Sequence, residues 1–224
     1  MVRPARRRGL AEEAADRIRE EILSGRVPPG SALREVELAA SLEVSRGSVR
    51  EGLALLEREG LVRSVWHKGT RVIELTEADV EEVYAVRAAL DRLAAVTAAG
   101  RGENLDELDR LVAAMAEEND GTRLLSLDLD FHEAVYRAAG NRRLLEAWHA
   151  VRSQVYLFQS HRIRYGHEHY AARVVHEHRE LAELIRAGDT ERLAAVAEEH
   201  VHSARRALLQ GLAEGNYQRP HGTP

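Results

Sequence analysis

Apolar positions in the first third of the chain change rhythm repeatedly, and from Thr76 onward they hold a single helical one. Leu10, Ala14, Ile18, Ile22 and Leu23 recur at helical spacing, which predicts a helix over 10–24 that Gly25 ends. Pro28-Pro29-Gly30 makes a rigid turn. Glu35 to Leu42 follows as a short helix, expected to pack through Val36, Leu38 and Ala39. After a break at Glu43-Val44-Ser45, Ser45 caps a helix from Arg46 to Arg58 whose buried side is Val49, Leu53, Leu55 and Leu56. Gly60 stops it, and 61–65 and 70–73 read as two short strands joined through Lys68-Gly69. Beyond Thr76, whose pairing with Asp79 resembles a capping box, no strand pattern appears. The helical segments are 77–99, 104–118, 122–139, 141–163, 168–187 and 190–213, punctuated by glycines.

This pattern predicts a mainly α protein: an N-terminal winged helix-turn-helix domain followed by an all-α bundle of six helices. The expected limits are a basic arm over 1–9, the winged domain over 10–75, the bundle over 76–214 and a tail over 215–224. Composition fits, because aromatic residues are only 4% against 44% hydrophobic in all, so Ala and Leu must fill the core. With no cysteine, disulfides and thiolate metal sites are excluded. No apolar run approaches the roughly 18 residues of a membrane span. The basic start MVRPARRRG lacks the apolar core of a signal peptide, so the expected location is the cytoplasm. The net charge of −5 is uneven: residues 1–75 hold 14 Lys/Arg against 12 Asp/Glu, and the remainder 18 against 25. The acidic portion should face away from phosphates.

A recognition helix meets the major groove with its N-terminal end. Here that end presents Ser45, Arg46, Gly47, Ser48 and Arg50. Arg46 and Arg50 suit bidentate contact to guanine, the serines suit phosphate or base edges, and Gly47 allows close approach. Lys68, Gly69 and Arg71 fit a wing on phosphate or in the minor groove. Trp66 either joins them or packs under the wing. In isolation the two arginines would read as a solvated helix face; the turn, the capped helix and the wing together point to double-stranded DNA.

In the second half, Asp128 and His132 stand four apart and share one helix face. His178 and His200 follow on two later helices, and an Asp with three His offers an ONNN set to Zn, Ni, Mn or Fe. Spacing alone leaves His161, His167, His169, His176 and His202 as competitors.

The run PPGSALREVELAASLEVSRGSVREGLALLEREGLV resembles the GntR family of bacterial repressors, and the helical half resembles the FCD effector domain of its FadR-type subfamily. The resemblance covers roughly residues 10–213 and implies a homodimer on a palindromic operator, controlled by a small carboxylate effector held near a divalent metal. It places the metal ligands on Asp128, His132, His178 and His200, and effector contacts on Arg87 and Asn141. For Arg87 a salt bridge to Asp91 is the competing reading, and for Asn141 a helix cap. The chain departs from the family where Val36 replaces a DNA-contacting Arg, so that one guanine contact is either missing or moved to Arg34. Glu43 replaces a Gly, and Gly47-Ser48 replaces Thr-Pro. Two other functions use the same residues: a regulator for which the metal is the signal, and a metal-dependent enzyme. The second is not expected, because H-E-x-x-H is missing and the helix-turn-helix would be left unexplained.

Overall fold

The computed structural model describes residues 9–66, 69–102, 105–164 and 170–214. The basic arm before Gly9, the wing residues His67 and Lys68, and the tail from Gly215 lie outside the described residues. The chain forms two compact units that part after Glu74.

The first unit runs α1 (Leu10–Leu23), β1 (Ala32–Leu33), α2 (Glu35–Leu42), α3 (Arg46–Arg58), β2 (Val62–Val65) and β3 (Gly69–Val72). Ala14, Ala15, Ile18 and Ile22 of α1 pack on α3, which buries Val49, Leu53 and Leu56. Gly52 is why the two helices come so close: a Cβ there would lie 2.8 Å from the Ala11 carbonyl oxygen. The sheet order is β1-β3-β2, antiparallel throughout. β1 is too short to show a period, and only pairing with β3 reveals it.

One burial expectation fails here, and one alternative is decided. Val36 is 61% exposed. At 100° per residue the buried arc of α2 runs through Leu38, Ala39 and Leu42, and Val36 falls off its edge. Trp66 does not pack under the wing; it is 86% exposed.

The second unit is helical among the described residues: α4 (Glu77–Arg101), α5 (Asp106–Glu117), α6 (Gly121–Ala138), α7 (Arg142–Arg164), α8 (Tyr170–Ala187) and α9 (Thr190–Ala213). Thr76 and Asp79 exchange both hydrogen bonds of a capping box at the start of α4. α4 is the central element, packed along α9 and also touching α6, α7 and α8. Its buried stripe contains Ala88, Ala94, Ala95 and Ala98, small side chains that admit close neighbours, and two charged residues, Arg87 and Asp91.

Candidate metal centre and nucleic-acid interface

Ser45 caps α3 by accepting the Ser48 amide at 3.0 Å, and the two hydroxyls lie 2.9 Å apart. The cap brings Arg46 and Arg50 to the exposed end of the helix, their side chains 63% and 66% accessible. A carboxylate from α2 meets both. Glu35 accepts Nε and Nη2 of Arg50 at 3.0 and 2.8 Å and lies 3.8 Å from Arg46 Nη2. The Arg50 hydrogen bond holds the Glu35 carboxyl below the usual carboxylate range, so Glu35 stays charged. Arg34 bonds Glu37 at 2.8 Å on the surface, and Arg71 Nη1 donates to the Gly30 carbonyl at 2.9 Å, tying the wing to the Pro-Pro-Gly turn. A Cβ on Gly47 would make only ordinary contact with Ser45, so the fold does not demand glycine there. Gly69 has a left-handed φ of 75° in the wing. Lys68 lies outside the described residues.

In the second unit, α6, α8 and α9 bring Asp128, His132, His178 and His200 together. One ligand atom from each lies within 4.8 Å of all the others, and all four side chains are buried. Each imidazole has an Nδ1 partner. His178 donates to the Val174 carbonyl at 2.7 Å, His200 meets Glu177 Oε2 at 2.8 Å, and His132 is 3.4 Å from Asp91 Oδ2. Such partners fix a metal-binding histidine's tautomer and leave Nε2 as the ligand atom.

The Nε2 contacts test whether a cation fits. His178 Nε2 is a buried atom with no hydrogen bond, yet it lies 2.7 Å from Asp128 Oδ1. With the proton on Nδ1, neutral His178 opposes lone pair to lone pair there. Only a second proton or a cation between them reconciles the contact. His132 Nε2 accepts from Arg87 Nη2 at 2.9 Å, since a guanidinium cannot accept, and it also lies 3.2 Å from His200 Nε2. Burial lowers the pKa of both His132 and His200, keeping them neutral, so this second pair is also lone pair against lone pair. Burial alone would raise the Asp128 pKa; His178, His132 and Arg87 together outweigh it and hold the carboxyl well below its usual value. One carboxylate and three imidazoles, each with a ligand atom within 4.8 Å of the others, are a donor set that could hold a divalent metal.

Arg87 sits beside this cluster, 1% exposed. Burial works against its charge, and Asp91 together with Tyr84, Asp128 and Tyr136 more than compensates, keeping the guanidinium ionised. Its Nε bonds Asp91 at 3.2 Å, Nη2 bonds His132, and Nη1 is buried with no hydrogen-bond partner. Asp91 also accepts the Tyr136 hydroxyl at 2.5 Å. The predicted salt bridge therefore exists and leaves part of the guanidinium fork free. Arg87 faces a small polar cavity with Asp128, Gln159, Arg162, Glu177, His200 and Ser203. Asn141 lies elsewhere: exposed at the start of α7, its Oδ1 accepts the Arg143 and Leu144 amides at 3.1 and 3.2 Å. It is a helix cap and lines neither this cavity nor the apolar one behind His132.

Residues 10–72 match the bacterial regulatory proteins of the gntR family, and residues 82–203, more than half the chain, match the FCD domain. The chain belongs to the GntR family. It is 38% identical over 150 residues to the probable D-xylose utilization operon transcriptional repressor of Paenarthrobacter nicotinovorans, covering 65% of this chain and 66% of that one. It is 29% identical over 154 residues to the gluconate operon transcriptional repressor of Bacillus subtilis, covering 66% and 63%. A crystal structure of a putative GntR regulator from Rhodococcus sp. RHA1 superposes with a TM-score of 0.70 at 25% identity, covering 89% of this chain and 97% of that one. The protein is thus a transcriptional regulator with a GntR DNA-binding domain, not an enzyme. No described helix is long and apolar enough to cross a membrane.

Three residues of these sites escape sequence reasoning. Glu35 is fifteen positions from Arg50, and Glu177 meets His200 only because α8 packs on α9. Asp91 reaches Arg87, His132 and Tyr136 at once, a convergence of which spacing shows only the first member.

Proposed function

We propose that this GntR regulator is a repressor that binds a palindromic operator as a homodimer in the cytoplasm. A small carboxylate effector docking beside a divalent metal in the helical unit releases it. The observation that carries the ligand half of this reading is the convergence of one carboxylate and three imidazoles in the buried Asp128, His132, His178 and His200 cluster. Zinc suits the set best, and nickel, manganese and iron use the same donors. When bound, the metal supplies a Lewis-acidic anchor for one carboxylate oxygen. Were His132 Nε2 to hold the cation, Arg87 Nη2 would lose that acceptor, and both terminal nitrogens of Arg87 would be available to the effector. The cavity they face holds little more than a water in this conformation. An effector must therefore push its walls apart, and they come from five of the six helices, α4 and α6 to α9. That is the differential binding that couples effector to operator affinity.

The homodimer is supported by α4, whose outer face leaves Val86 50% and Leu93 52% exposed, one above the other with Leu90 between them. A single winged helix also covers too few base pairs to be selective. Repression is supported by the names of the D-xylose and gluconate relatives.

The test is a screen of small carboxylates for release of promoter DNA, with and without chelator, beside elemental analysis of the purified protein. One metal per chain, lost in His178→Ala, and release that needs the metal are expected. Metal-free protein that still releases DNA on adding carboxylate would overturn the anchoring role. A metal that dissociates across the physiological range and itself switches DNA binding would make it the signal.

A further inference from the structure

The four side chains of the metal centre are buried, and His200 is the most accessible of them, at 8%. An ion held there needs a path through the bundle. A surface groove of about 420 Å³ lies where α8 meets α9. Glu177 and Glu180 of α8 line it, with Ala195, Glu199, His200 and Ser203 of α9. Among the described residues its charged groups are carboxylates alone, whereas the inner cavity beside the cluster carries Arg87, Arg162 and Arg173. Glu177, His200 and Ser203 line both spaces, so they form the partition between the groove and the cluster. One hydrogen bond closes it across the helix seam: His200 Nδ1 donates to Glu177 Oε2 at 2.8 Å. The other Glu177 oxygen has only a loose contact to Arg173 Nε, at 3.8 Å. Behind the partition, His178 Nε2 is fully buried without a hydrogen bond and lies 2.7 Å from Asp128 Oδ1. At the mouth, Glu180 pairs with Arg192 at 2.7 Å and Glu199 pairs with Arg206. Both pairs stand in solvent, where such pairs are weak and exchange readily.

We infer that the groove between α8 and α9 is the path by which a divalent cation reaches and leaves the buried site, and that Glu177 is the outer ligand that hands it to His200. The inference rests on the metal reading of the cluster and adds to it the residues that set how fast the site fills. A concave wall lined by one sign of charge concentrates ions of the other sign. Glu180 and Glu199 therefore gather cations at the mouth and turn carboxylate anions away. Glu177 spans the wall: one oxygen is loosely held toward the groove, and the other already bonds a ligand ring. The arginines of the inner cavity suit the anion, and the groove suits the cation.

Full-length protein is freed of metal with chelator. Zinc uptake is then followed by stopped flow in competition with a fluorescent indicator, and release by transfer to a chelating dye. The chain has no cysteine, so Ala195→Cys puts a single thiol in the groove and leaves the four candidate ligands in place. Before modification it should exchange zinc as the parent does. Capped with a bulky maleimide, it should take up and release zinc more slowly by one common factor, with its affinity unchanged. Glu180→Gln combined with Glu199→Gln should slow uptake about tenfold at low salt and remove most of its salt dependence. Glu82→Gln combined with Glu107→Gln, the same change of charge on α4 and α5, should do neither. Glu177→Gln keeps an acceptor for His200 and should slow uptake and release alike. Loss of a carboxylate that only orients His200 would instead quicken release and leave uptake alone. Faster release from Glu177→Gln, or one zinc per chain exchanging at rates indifferent to the bulky cap, overturns the route alone. Protein that binds no zinc overturns the metal reading itself and takes the route with it.

Discussion

Arg50 and Arg87 are both guanidinium groups held by a carboxylate, and their surroundings are opposite. Arg50 is two-thirds exposed and clamped by Glu35 through Nε and Nη2. Arg87 is 1% exposed and shares itself between Asp91 and His132. An exposed ion pair is worth little, because water replaces either partner at small cost. A buried one cannot lose a partner without a substitute, because an uncompensated charge in the interior is severely penalised. Arg50 can therefore leave Glu35 for a guanine edge with little loss, and Glu35 keeps it extended meanwhile. Arg87 can only trade acceptors. Its free Nη1 and its borrowed contact with His132 mark where a new acceptor would enter. Reading DNA uses exchange at the surface, and sensing a ligand uses substitution in the core.

The sharpest way to break this contrast is to remove each arginine in turn. Arg87→Ala leaves the buried Asp91 carboxylate without its counter-charge, with only Tyr136 and His132 beside it, and should lower stability by about 3–5 kcal/mol, measured by urea denaturation of the intact protein. A loss under about 1 kcal/mol would mean that Arg87 behaves as a surface charge and that the buried network is not as described. Arg50→Ala should leave the denaturation midpoint where it was and weaken operator binding roughly ten- to a hundredfold, with the metal content unchanged. If its DNA affinity is unaltered, Arg50 is an ordinary solvated residue and the reader must be sought elsewhere on α3.

How much of this was legible without coordinates follows from the range of each interaction. The helices were legible because Ala and Leu recur along them and glycines mark several of their ends, as Gly102, Gly140 and Gly188 do with positive φ. Asp128 and His132 were legible as a pair because four residues is one helical turn. Joining them to His178 and His200 needed the family resemblance, since composition alone offers other histidines. What stayed hidden depends on helices packing side by side. Glu35 beside Arg50 and Glu177 beside His200 are such cases. Val36 misled because hydrophobicity predicts burial only where a partner surface exists, and Val36 falls off the edge of the buried arc of α2.

The smallest effect expected concerns one residue in the turn between α2 and α3. Glu43, at the C-terminal end of α2, has φ 54° and ψ 38°, and no other described non-glycine residue has positive φ. An L side chain in this left-handed region crowds its own carbonyl, which is why helix ends of this type favour glycine, and the GntR pattern itself places glycine there. Glu43→Gly should therefore stabilise the first unit by about 0.5–1 kcal/mol, the relief of strain exceeding the added freedom of the unfolded chain. Glu43→Ala separates strain from charge: it removes the carboxylate and keeps the Cβ, so it should give no such gain. Equal stabilisation by both variants would assign the effect to the negative charge at the carboxyl end of α2, and the left-handed backbone would then carry no measurable cost. The expected split between the two would show that the exposed half of the molecule tolerates local strain as readily as it tolerates exchangeable ion pairs, which the buried cluster around Arg87 does not.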